Sequence, residues 1–327
     1  MSTNRLGGHF SRCGIDVPGH QTGNPKLQAE SLVEKANIEF EIAQLRNTWP
    51  IEFQRHTEDA NALMSDAMTQ CTGCSDDQKA EILRLWSRGL YDLARPPSGK
   101  LSDDWDGANL GVSYDKMREV IRLAPNELKN YTQLARVVQK AGENPPRRAD
   151  PSWTVVMRTT LAELREKWAN VESSKTEPDQ RIPPLNIQAV LTLDTVSREW
   201  KAQQKLPAAE RKIRLRGDLK EIEDGSIRPQ SEVLALLPNS FWRDSFKFDA
   251  RYDLARMYAM RYSLLNSLDG PHSDRTTSAL KQLKSEFADA LSFATKLQRD
   301  SVADDLNKRT GLNQLAEEQR ADLRKLM

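Results

Sequence analysis

Apolar side chains recur at steps of three and four along most of this chain. Leu27, Leu32, Val33, Ala36, Phe40 and Ala43 form one such series, Ile82, Leu85, Trp86, Leu90 and Leu93 a second, and Val156, Leu161, Leu164 and Trp168 a third. That spacing lines up one face of a helix, whereas a half-buried strand needs strict alternation, which no segment shows convincingly. Asp106-Gly107 and Asp269-Gly270, dipeptides that suit hairpin turns, fall between helical patterns. Leu occurs 38 times against 13 Val and 11 Ile, and Leu keeps more of its rotamer freedom in a helix than β-branched residues do. The prediction is an all-α fold, an irregular multi-helix protein of about ten helices.

Breaks in the pattern divide the chain. Residues 1–25 hold five Gly and two Pro with no apolar periodicity, and read as an extended arm. Residues 26–142 form an N-terminal helical lobe, closed by Gly142 as a C-terminal glycine stop. Asn144-Pro145-Pro146-Arg147-Arg148 reads as a linker, after which Asp150-Pro151 opens a helix with a capping Asp and Pro at its first position. Residues 151–300 form a C-terminal helical lobe, with a polar break over 172–184, and 301–327 a polar helical tail. Ser75 and Gln78 have the spacing of a capping box. Helices are expected over 240–268 and 273–300.

The longest apolar run, Val233 to Leu237, is far short of the ~20 residues that span a bilayer. No apolar stretch of signal-peptide type follows the N-terminal arginines, so an intracellular protein is expected; Arg5 and Arg12 with no acid before Asp16 leave an organelle transit segment as the alternative. With 48 Lys and Arg against 47 Asp and Glu, the formal net charge of +1 argues against coating duplex DNA by bulk charge.

Candidate chemistry is sparse. The only Cys-x-x-Cys pair, Cys71 and Cys74, could join Cys13 and His9 around a zinc ion, since two thiolates two residues apart can face one metal. Three reduced cysteines with no metal are the expected state, and no other cofactor is implied. Ser102–Gly107 lacks two key carboxylates of a calcium loop, which leaves its aspartates as helix caps. Residues 94–101 lack the hydroxyl of a phosphate loop, and Gly111–Asp115 lacks the second glycine of a nucleophile elbow. Only four His are present, which leaves imidazole acid–base catalysis few places to sit.

Two segments could meet an anionic partner. One is the helix carrying Arg211, Lys212, Arg214 and Arg216, whose interleaved acids favour an ordinary solvated face. The other is the Phe241–Leu268 stretch, apolar around most of its circumference apart from a strip at Asp253, Arg256, Ser263 and Ser267. Such a helix belongs in the interior, so Arg251 and Arg261, which project into its apolar sector, should meet carboxylates, an edge or an anion.

With no catalytic pattern and seven Trp in a polar chain, the sequence points to a non-catalytic helical subunit making protein–protein contacts in a homo-oligomer or larger complex. The alternatives are a helical nucleic-acid-binding protein of coat or packaging type, and a zinc-containing module or enzyme. A deep cleft lined by converging acids would count against the scaffold expectation.

Overall fold

The computed structural model describes residues 24–45, 50–96, 105–144, 147, 150–171, 176–244 and 246–327; the expectations for residues 1–23, including His9 and Cys13, lie outside them. The fold is all-α, with no strand among the described residues. No described helix is long and apolar enough to cross a membrane.

The first helices are α1 (Pro25–Leu45), α2 (Pro50–Gln70), α3 (Asp76–Leu93), α4 (Gly107–Leu123) and α5 (Leu128–Glu143). Ser75 and Gln78 make both bonds of the capping box at the start of α3. Asp106 caps α4 by accepting the amides of Ala108 and Asn109, the helix-capping role expected of that Asp-rich loop. α6 (Pro151–Ala169) is capped by Asp150 with Pro at its first position.

α7 (Pro178–Gln203) begins earlier than the pattern predicts, and Pro183 and Pro184 lie inside it. Each removes one backbone donor, but Ile182, Pro184 and Leu185 pack against Val233, Leu237 and Ala250. That burial holds the turn in place. α8 (Ala208–Ile222) runs through a π-helical turn at Glu223–Ile227 into α9 (Arg228–Leu236).

α10 (Lys247–Asp269) starts after the exposed Phe241 and Trp242, which the sequence pattern had included in the helix. The stretch expected as one helix over 273–300 is two, α11 (Asp274–Ser292) and α12 (Lys296–Asp305). The break has a local cause: Thr295 and Gln298 form a second capping box, which starts a new helix there. α13 (Glu317–Arg324) ends the chain.

Two apolar clusters fill most of the interior. One joins α3, α4 and α5 to α6, with Trp153, Met157, Leu161 and Leu164 packed against Leu110, Met117, Leu134 and Val138. The helices on either side of the expected linker, α5 and α6, thus contribute to the same apolar cluster. The other surrounds α10 and takes in Leu215, Ile222, Leu283 and Phe287. α7 serves both, turning Ile187 and Leu191 to the first and Val190, Leu193 and Val196 to the second. The C-terminal tail is integral to the second cluster, since Val302, Leu306, Leu312, Leu315 and Leu323 are buried in it.

Candidate functional site

A cleft of about 900 Å³ opens where the two clusters meet. One wall is the end of α3, with Tyr91 and Asp92, together with Trp105; Arg136, Gln139 and Lys140 of α5 continue it. The opposite wall is the first half of α7 and the start of α10, with Phe246, Asp249, Tyr252, Asp253 and Arg256, and Arg309 closes the floor. Tyr91 and Trp105 pack at 5.1 Å between ring centroids, and Trp242 stands at the rim.

The floor is a buried charge network. The Arg256 guanidinium is 3% exposed; it donates through Nη1 to Asp253 (2.6 Å) and through Nε to the Thr310 carbonyl (3.0 Å). Its Nη2 lies 3.7 Å from Asp194 Oδ1 in an ion pair too long for a hydrogen bond. Gln139 donates to both Asp194 (2.9 Å) and Glu143 (2.6 Å). Glu143 also accepts from Lys140 (2.9 Å) and Arg309 (3.2 Å), and Arg309 reaches Asp305 (3.3 Å). Gly311 makes the arrangement possible. Its φ is +91°, and a Cβ there would collide with the Arg256 carbonyl.

Burial and partners move the protons in opposite directions along this network. For Glu143, burial alone would raise the pKa, but Lys140, Arg309 and Arg256 outweigh it and hold the carboxyl at about 2. Asp194 is pushed up by burial and then by Glu143, and Asp305 is pushed up by burial. At the cleft wall, burial and then the neighbouring Asp253 carry Asp249 up to about 6. Burial lifts the Tyr91 hydroxyl to about 12. Asp249 therefore holds its proton to higher pH than an ordinary aspartate does.

Most charges lining the cleft are used internally. Asp92 faces Arg95 at 3.5 Å, Asp253 holds Arg256, Lys140 and Arg309 hold Glu143, and Asp106 caps α4. Arg136 and Asp249 make no hydrogen bond and no ion pair among the described residues.

Among the described residues, none of those proposed in the sequence as metal ligands or anion contacts lines this cleft. Cys71 and Cys74 are buried and joined as a disulfide, with Cα atoms 5.3 Å apart, where reduced thiols were expected. The bond ties the turn between α2 and α3, and zinc ligation by these sulfurs requires its reduction. On α8, Lys212, Arg214 and Arg216 are exposed and Arg211 half-buried, with Arg214 paired to Glu210 at 3.1 Å. Arg251 lies 3.5 Å from Asp289 and 3.9 Å from Glu286, and Arg261 bonds Glu223 at 2.8 Å.

The residues missed are those of the floor. Arg256 and Asp253 were assigned to a polar strip, yet that strip faces a buried network and not water. A signal existed in Asp194, an isolated acid inside the otherwise apolar and hydroxylic run from Ala189 to Val196. Comparison with family models, with curated proteins and with solved structures finds no match to this chain.

Proposed function

We propose that this chain binds a small polar organic molecule in the cleft between α3, α5, α7 and α10. The observation that carries this is the cleft itself: a cavity of about 900 Å³ walled by aromatic side chains and floored by buried, oppositely charged groups. Binding clefts for small molecules have this size and this mixture of apolar wall with a few placed polar groups. Titratable groups with strongly displaced pKa values gather around it, as they do at functional sites. A buried ion network is weak support for stability, because desolvation offsets most of its Coulombic gain.

Trp105 and Trp242 both line the cleft, so occupancy is read directly by their fluorescence. Titrating fractions of a metabolite extract into the purified chain should quench tryptophan emission and raise the melting temperature together. A ligand at about 100 times its dissociation constant adds about 2.7 kcal/mol of stability. A W105F/W242F variant should keep the thermal shift and lose the quench. If no fraction moves either signal, the chain is not a small-molecule binder.

A second proposal is an interaction subunit with protein partners. It rests on Ile51 (85% exposed) and Phe241 (84% exposed), each within two residues of a cleft-lining side chain. A monomer by light scattering at micromolar concentration, unchanged by I51S/F241S, would end the homo-oligomer form of that proposal.

A further inference from the structure

We infer that the cleft takes a zwitterion, the class of a free amino acid or short peptide, with its carboxylate on Arg136 and its ammonium on Asp249. This rests on the cleft being a ligand site. Nine charged side chains line the cleft, and seven of them are committed to partners described above. The remaining two are of opposite sign, Arg136 exposed and Asp249 half-buried, and neither has a hydrogen-bond or ion-pair partner among the described residues.

The two stand in separate neighbourhoods. Around Arg136 the interacting charges are Arg88, Arg95 and Asp92, so cations outnumber acids there. Around Asp249 they are Asp253, Arg309 and Lys140, with Glu143 and Asp305 behind the two cations. One end of the cleft is therefore short of an anion and the other short of a cation. Complementary charge sets which ligand is accepted more than how tightly it is held.

Arg136 and Lys140 lie one turn apart on α5, a rise of about 6 Å at 1.5 Å per residue, and Lys140 is among the charges around Asp249. Tyr91, Trp105 and Phe246 line the cleft as well and offer apolar surface to the body of such a ligand.

The test is isothermal titration of the full chain at pH 7.5 with free aromatic amino acids and with three tripeptide pools rich in aromatic residues: free, N-acetylated and C-amidated. A further arm holds dicarboxylates and diamines of similar length. One of the free zwitterions, amino acid or peptide, should bind, and its blocked counterparts should bind about tenfold more weakly or worse, as loss of one charged contact dictates. In Arg136→Gln, amidation should no longer matter; in Asp249→Asn, acetylation should no longer matter. Equal binding of free and blocked peptides, or preference for the dicarboxylates or the diamines, overturns the zwitterion while leaving the cleft a binding site. Binding by no arm, together with no signal from the metabolite fractions, overturns both.

Discussion

Asp249 sits in the first turn of α10, where the helix dipole ordinarily favours a negative charge. Burial and Asp253 nevertheless push its pKa up to about 6. An acid whose folded-state pKa exceeds its unfolded value favours the folded state when protonated, so its contribution is lost as pH rises through the window from about 4 to about 6. Asp249→Asn should thus match the wild type in melting temperature near pH 4 and exceed it at pH 8, followed by scanning calorimetry across that range. A constant offset at every pH would show that the carboxyl is not strained. Gly311 is the other residue whose identity is dictated locally. Gly311→Ala places a side chain at positive φ and against the Arg256 backbone, so it should cost well over 1 kcal/mol in urea denaturation.

At the scale of elements, the sequence spoke clearly about helices and poorly about their polar faces. Amphipathic spacing, the Ser75 capping box and the Asp150-Pro151 start all report on local backbone physics, and all appear where the pattern puts them. The prolines of α7 misled because tertiary packing of Ile182 and Leu185 overrides a local break. α10 misled in a different way. Periodicity separates apolar from polar stripes, but it cannot tell a stripe facing water from one facing other buried charges. Asp249, Asp253 and Arg256 share one stripe of α10, and the Arg256 partners Asp194 and Thr310, with Gln139 behind Asp194, come from distant parts of the chain. The cleft was therefore illegible until those segments were assembled. Interdependence of this kind has a measurable consequence. Arg256→Met leaves Asp253 and Asp194 without their cation and should destabilise by roughly 3–5 kcal/mol. Adding Asp194→Asn should recover part of that loss, and strict additivity of the two in chemical denaturation would argue against a network.

For the molecule as a whole, the decisive question is whether the last 27 residues are an appendage or part of the core. Their polarity suggests a tail, with only scattered leucines among charged residues. In the fold, Val302, Leu306, Leu312, Leu315 and Leu323 are buried against α10 and α11, and Arg309 enters the charge network beneath the cleft. Burying one such aliphatic side chain is worth about 1.5–3 kcal/mol, so five together approach the entire 5–15 kcal/mol net stability of a typical domain. Removing residues 301–327 would also expose the face of α10 they cover and leave Glu143 without Arg309. A chain ending at Asp300 should therefore lose cooperative thermal unfolding, with tryptophan emission shifted to the red, whereas a cut after Arg324, beyond the last buried leucine, should melt like the full chain. If the shorter chain melts cooperatively within a few degrees of the intact one, the C-terminal segment does not support α10, and the floor of the cleft does not depend on Arg309.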